Sequence, residues 1–146
     1  MPSRHEQHHS PYGIKQLFDM VADVKSYPQF IPWVAAARIT RDGEKEFEAE
    51  LVAKFKGFTG KYTSRVTLHE SEGECSIDVT MIEGPFHHLT NNWKFIPDEK
   101  GSSTIVFDID FAFKSKVLEK LIGGLFDRAT MKMLSAFEER ADELYG

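Results

Sequence analysis

The chain has 146 residues, of which 41% are hydrophobic and 28% are charged, a composition typical of a globular protein that buries a core. Its net charge of −5 argues against a protein held on nucleic acid by a basic surface, so direct DNA binding is not expected. The single cysteine, Cys75, excludes a disulfide within the chain and favours a reducing compartment.

The amino-terminal residues 1–13 lack the apolar segment of a signal peptide. No run in the sequence approaches the roughly 18 apolar residues of a membrane-spanning helix. Internal repeats and linkers are also not apparent. We therefore expect one domain over residues 1–146, cytoplasmic or peripheral to the inner membrane of a bacterium.

The first predicted element is a short helix. Apolar residues recur at helical spacing at Ile14, Leu17, Phe18 and Val21. Gly13 is an acceptable cap, and the helix is expected to end near Val24. The stretch YPQFIPW at 27–33 follows, and at most one short helical turn is expected between Pro28 and Pro32, because proline disfavours the helical conformation of the preceding residue.

From about Ala36 the apolar residues recur at every second position, which predicts strands with one buried face. The predicted antiparallel strands cover residues 46–55, 61–68, 76–82, 89–96 and 104–113. Glycine-containing turns separate them, as in hairpins.

The last third of the chain is predicted to be one long helix, capped by Ser115. Its apolar residues step by three or four positions through Leu118, Ile122, Leu125, Ala129, Met133, Phe137, Ala141 and Leu144. Strands with one apolar face followed by a long amphipathic helix favour an α+β fold, in which a curved antiparallel sheet grips the helix. A curved sheet and a helix leave space between them unless large side chains fill it, so a cavity is expected.

Several motifs in this order resemble the ubiquinone-binding START-like proteins of the polyketide cyclase/dehydrase superfamily. The motifs are YPQFIPW at 27–33, GPF at 84–86, WKF at 93–95, FAFKS at 111–115 and LFDRA at 125–129. The resemblance implies a helix-grip fold with two short helices after the first strand, and a single lipid-binding domain with an apolar cavity. The stretch 3–9, which would form the first strand, is wholly polar, so we expect either a solvated edge strand or a frayed or altered terminus.

The resemblance also implies alternative functions. Its eukaryotic members are coenzyme Q chaperones of the mitochondrial inner membrane, which support respiratory electron transport. Its bacterial members include ribosome-association toxins, said to bind a ribosomal subunit and hinder subunit joining. The leading hypothesis is therefore non-catalytic binding of ubiquinone, as a ligand rather than a cofactor. The alternatives are a ribosome-directed toxin and a polyketide cyclase or aromatase.

The candidate ligand-binding residues are those predicted to face the space between sheet and helix. They are Phe30, Trp33, Phe55, Tyr62, Phe86, Asn91, Trp93, Phe107 and Phe111, with Leu121 and Leu125 from the long helix. They line either an isoprenoid pocket or a plain hydrophobic core. The inward-facing Asn91 is expected to meet a quinone carbonyl, a bound water or the neighbouring backbone.

Three further features complete the sequence-based picture. The predicted inward polar groups are only Tyr62, Ser64 and Asn91, and no nucleophile motif is found, so no catalytic residue is predicted. The histidines at 5, 8 and 9 have no second cluster of carboxylates or cysteines at ligand spacing, so no metal ligand is predicted. Residues 118–126 are apolar on more than one side. With the 27–33 stretch they form either the lip of the cavity, touching a membrane as a lipid enters, or a wide core-facing stripe.

Overall fold

The computed structural model describes residues 3–55 and 58–146, without the side chains of residues 55, 58, 118 and 121–126. Within these residues the strands are β1 (Ser3–Ser10), β2 (Val34–Arg41), β3 (Glu46–Phe55), β4 (Phe58–Glu70), β5 (Cys75–Glu83), β6 (Phe86–Pro97) and β7 (Ser103–Phe113). The helices are α1 (Ile14–Ala22), a 3-10 helix at Val24–Gln29, a short 3-10 turn at Glu99–Gly101 and α2 (Lys116–Tyr145).

The described strands form one antiparallel sheet in the order β1-β7-β6-β5-β4-β3-β2. Neighbours in sequence are neighbours in the sheet, except that β1 crosses to pair with β7. The curved sheet, the two short helices after β1 and the long carboxyl-terminal helix confirm the expected helix-grip fold. Among the described residues, no helix has both the length and the hydrophobicity to cross a bilayer.

The polar amino-terminal segment forms a solvated edge strand, one of the two expected alternatives. Its register with β7 runs from Ser3 opposite Asp110 to Ser10 opposite Ser103. Because backbone hydrogen bonds hold it, β1 does not need an apolar face. Charged side chains also suit an edge, since they discourage pairing with another chain.

Helix α1 and the 3-10 helix lie close to where they are expected. The Gly13 N–H donates to Gln16 Oε1 at 3.0 Å and so closes the start of α1. The 3-10 helix contains Pro28 and ends at Gln29, which respects the expected limit of one short helical turn between Pro28 and Pro32. The Tyr27 carbonyl accepts from the N–H groups of both Phe30 and Ile31, so the turn closes past the proline, which has no N–H to donate.

Helix α2 starts where its predicted cap stands. The Val117 N–H donates to Ser115 Oγ at 3.1 Å. The 30 residues of α2 span about 45 Å, long enough to cross the whole sheet. Its described buried side chains are Ala129, Thr130, Leu134, Ala136, Phe137 and Ala141.

An aromatic cluster fills the core between α1, α2 and strands β5 to β7. Phe95 and Phe107 are 0% exposed. The centroid of the Trp93 ring lies 4.7 Å from that of Phe107 and 5.2 Å from that of Phe137. Both pairs are edge to face, which is a favourable arrangement for aromatic rings. The cluster fixes how α2 sits on the sheet.

Candidate ligand-binding cavity

A cavity of about 110 Å³ lies between the sheet, α2 and the 3-10 helix. Its described wall is largely aliphatic and aromatic, with side chains from β3 to β7 on one side. Ala129, Met133 and Phe137 of α2 close the other side. The structure therefore contains space of the kind expected between a curved sheet and a helix.

The cavity exists because β3 and β4 carry small residues on their inner face. Ala49 pairs with Ser64 and Ala53 pairs with Gly60, so these two inward pairs, which flank the Leu51–Tyr62 pair, have almost no side-chain volume. A methyl, a hydroxymethyl and a hydrogen do not reach across to α2. Space remains here although the neighbouring strands are densely packed.

The 27–33 stretch closes one side of this space. Tyr27, Ile31 and Trp33 line the cavity. The Trp33 indole N–H donates to the Ala129 carbonyl at 3.0 Å, which ties the stretch to α2. Phe30 points elsewhere, its ring 5.2 Å from that of Phe137, so its contribution is to packing.

The GPF turn at 84–86 positions one wall residue. A Cβ on Gly84 would lie 2.6 Å from Tyr62 Cβ, so only glycine allows the turn to approach β4 this closely. The Phe86 ring packs edge to face against the Tyr62 ring, with 6.3 Å between the ring centroids. It packs in the same way against the Phe111 ring, at 6.1 Å. The turn thus holds the Tyr62 ring in place from two sides.

The predicted site residues fall into three groups. Those in the cavity wall are Trp33, Tyr62, Phe86, Asn91, Trp93 and Phe107. Phe30 and Phe111 pack behind the wall. The side chains of Phe55, Leu121 and Leu125 lie outside the described residues, as does much of the proposed lip at 118–126, so these remain predictions.

Most polar groups of the wall are already paired within the protein. Asn91 Nδ2 donates to the Asp108 carbonyl at 2.9 Å, and Asn91 Oδ1 accepts from the Trp93 indole N–H at 2.9 Å. Of the three partners expected for Asn91, the structure shows the neighbouring backbone. The second hydrogen bond, from the Trp93 indole, fixes the orientation of the Trp93 ring. The Tyr27 hydroxyl donates to the Val21 carbonyl.

Ser64 is the exception among the polar wall residues. Its side chain is buried, and Oγ has no hydrogen-bond partner in the described structure. Sequence alternation places Ser64 inward but does not reveal that its hydroxyl is unpaired. Only the apolar neighbours contributed by other strands show this.

The described cavity wall carries only neutral side chains. Burial raises the pKa of the Tyr62 and Tyr27 phenols well above 10, so both stay neutral over the physiological range. The described wall contains hydroxyls, an indole and an amide but neither histidine nor carboxylate. Over the described residues there is also no cluster of three groups able to hold a metal.

Residues 10–138 match the family model described as polyketide cyclase / dehydrase and lipid transport. The chain belongs to this family. The fold of this chain is similar to that of a START superfamily protein from Mycobacterium smegmatis, with a TM-score of 0.81. The two chains are 18% identical, and the match covers 97% of this chain and 98% of that one.

Two relatives of this chain have names that state a function. A ribosome association toxin, RatA, from Rickettsia prowazekii is 48% identical over 136 residues, which cover 92% of each chain. A mitochondrial coenzyme Q-binding protein, COQ10 homolog B, from Xenopus laevis is 31% identical over 142 residues, which cover 92% of this chain and 56% of that protein. The two names correspond to the two leading hypotheses drawn from the sequence.

Proposed function

We propose that the cavity binds an apolar lipid, with an isoprenoid quinone such as ubiquinone as the leading class, and that the protein carries it without catalysis. The observation that supports this most directly is an apolar cavity built by small residues on β3 and β4. The coenzyme Q-binding name of one relative agrees with it. In this role the protein collects its ligand at a membrane surface and supports respiratory electron transport.

The size of the cavity limits how much of the ligand it encloses. A dry cavity of about 150 Å³ with an apolar lining is known to take up benzene. The space here, about 110 Å³, matches one ring or a short part of an isoprenoid chain. A long tail would extend beyond it, and each methylene that it buries contributes about 0.8 kcal/mol.

The decisive experiment is mass spectrometry of lipids that copurify with the protein, combined with thermal stabilisation by added ubiquinone. A ligand present at 100 times its Kd stabilises the folded state by about 2.7 kcal/mol. Ala49→Leu should abolish uptake by filling the cavity from its small-residue wall. Ala36→Leu is the matched control, since Ala36 is exposed on β2.

Two results would contradict lipid binding. One is a wild-type protein that contains no lipid and is not stabilised by added quinone. The other is an Ala49→Leu protein that folds and still takes up quinone like the Ala36→Leu control. Either result would show that the cavity is not the functional site and would favour a function of the protein surface.

We propose association with a ribosomal subunit as the second candidate function. It is supported by the name of the 48% identical relative and by the solvent side of α2. Lys116, Lys120, Arg128 and Lys132 are exposed there and make no ion pair with the described residues. Unpaired cations along one helix suit RNA phosphates, even in a protein with a net charge of −5.

Cosedimentation with purified ribosomal subunits tests the second candidate. Binding through these cations should weaken steeply as salt is raised. A Lys116→Glu, Arg128→Glu variant should lose most of its binding, whereas Lys94→Glu, at an exposed position on β6, should bind like the wild type. Binding that does not change with salt, and that the Lys116→Glu, Arg128→Glu variant retains in full, would exclude α2 as the contact surface.

A further inference from the structure

The proposed lipid binding is the basis of a more specific inference about the cavity. We propose that the hydroxyl groups of Ser64 and Tyr62 form its head-group subsite, where they donate hydrogen bonds to an oxygen acceptor on a ligand that is otherwise apolar. A ring carbonyl of a quinone is such an acceptor. The subsite lies inside the cavity, on β4.

The unpaired Ser64 hydroxyl is the first observation. Ser64 is 3% exposed, and its Oγ has no partner in the described structure. Its partners in register are Ala49 on β3, which has no side-chain acceptor, and Met81 on β5, whose thioether sulfur is at best a weak one. Buried hydroxyls without partners are uncommon because their desolvation is not repaid, so such a group in a cavity wall points to a ligand.

The backbone beside Ser64 is irregular. Thr63 pairs with Glu83, but Ser64 pairs with Met81, so β5 carries one extra residue at Ile82. A bulge of this kind increases the local twist and changes where side chains point, and bulges are often found next to binding sites. Here the bulge lies next to the unpaired hydroxyl.

Tyr62 supplies the second donor. It lies two residues before Ser64 on the same face of β4 and also lines the cavity. Its side chain is half-buried in the cavity wall. Gly84 and Phe86 hold the ring, and burial keeps the phenol protonated, so it remains a donor.

The other polar groups of the wall make this choice specific. The Asn91 amide, the Trp33 indole and the Tyr27 hydroxyl are each bonded to protein atoms. The described wall has no charged side chain to balance a phosphate or carboxylate, and burying an unpaired charge is costly. The subsite therefore fits a neutral head group rather than a phospholipid or a fatty acid.

Two ligands with the same decyl tail test the subsite: decylubiquinone, whose ring carries oxygen acceptors, and decylbenzene, whose ring carries none. Ser64→Ala and Tyr62→Phe should each weaken decylubiquinone binding about three- to tenfold, the loss of one hydrogen bond. Neither substitution should change decylbenzene binding more than about twofold, because the apolar wall remains. The infrared band of the bound quinone carbonyl should also move to higher frequency in Ser64→Ala.

A buried hydroxyl that is already bonded, and that lies outside the cavity wall, provides the control. Ser103→Ala removes a hydroxyl that donates to the Tyr12 carbonyl at 2.6 Å. It should lower the stability of the free protein and leave the preference for decylubiquinone over decylbenzene unchanged. Ser64→Ala should not lower the stability of the free protein, since no bond within the protein is lost.

The outcomes separate the two proposals. If neither ligand binds the wild-type protein, lipid binding in the cavity is wrong. If both bind but Ser64→Ala and Tyr62→Phe retain the wild-type preference for decylubiquinone, the cavity binds lipid and the head-group subsite is wrong. A loss of stability in Ser64→Ala equal to that in Ser103→Ala would also overturn the subsite, because it would show that the Ser64 hydroxyl is bonded in the free protein.

Discussion

The two ends of the sheet's inner face follow the same alternation but are packed differently. On β6 and β7 the inward positions hold Trp93, Phe95 and Phe107. The Trp93 ring contacts the rings of Phe95, Phe107 and Phe137 of α2, and this packed cluster borders the cavity through Trp93 and Phe107. On β3 and β4 the inward positions hold Ala49 and Ser64, which leave a cavity. The alternation decides which face is buried, whereas side-chain volume decides whether that face is filled.

Exposure alone does not reveal this difference. Ala49 is 2% exposed and Phe107 is 0% exposed, so both belong to the buried face. Yet a variant that removes atoms from the filled end must create a new void, while a variant at the hollow end changes a void that already exists. Stability measurements can therefore distinguish the two ends.

The largest effect is expected from Phe95→Ala at the filled end. Phe95 is fully buried against the rings of Phe18 and Trp93, so its loss should lower the free energy of unfolding by about 3–5 kcal/mol. Leu51→Ala, on the half-buried wall of the cavity, should cost about 2 kcal/mol or less. Equal losses in urea denaturation would show that the two ends are packed alike.

A smaller effect is expected at the turn that supports the hollow end. Gly84→Ala places a Cβ against Tyr62 and should cost about 1–3 kcal/mol, because β4 and the turn must move apart. It should also weaken quinone binding, since Tyr62 shifts. Gly73→Ala is the control, since a Cβ there meets nothing within 4 Å. A Gly84→Ala protein as stable as Gly73→Ala would contradict the close approach.

The smallest effect is expected at alkaline pH. The pKa values of Tyr62 and Tyr27 are raised by burial in the folded state, so the unfolded chain loses these protons first, near pH 10. The stabilisation is complete below pH 10 and declines as the pH rises further, by up to about 1.4 kcal/mol per pH unit for each phenol. Tyr62→Phe should reduce this slope between pH 10 and 11, as measured by urea denaturation. An unchanged slope would show that the Tyr62 phenol is not shielded from water.

The sequence accounts for much of the cavity's aromatic side and for little of its small-residue side. Trp33 and Phe86 could be placed in the wall from the family motifs at 27–33 and 84–86, and Trp93 from both its motif and its strand phase. Phe30 could not be placed correctly, since the 3-10 helix aims its ring at Phe137 instead. Ala49 was not predicted as a site residue, and Ser64 was noted only as an inward polar group, because a small inward residue looks the same in a filled core as in a hollow one.

Strand and helix periodicity determined α1, strands β3 to β7, the long helix α2 and the buried face of those strands, since each is a local property of the chain. Tertiary structure decided that the polar segment 3–9 pairs with β7, that Asn91 is bonded internally and that the Ser64 hydroxyl is not. These outcomes depend on residues far apart in sequence. Pairing and volume are properties of neighbours in space, and local periodicity cannot identify those neighbours.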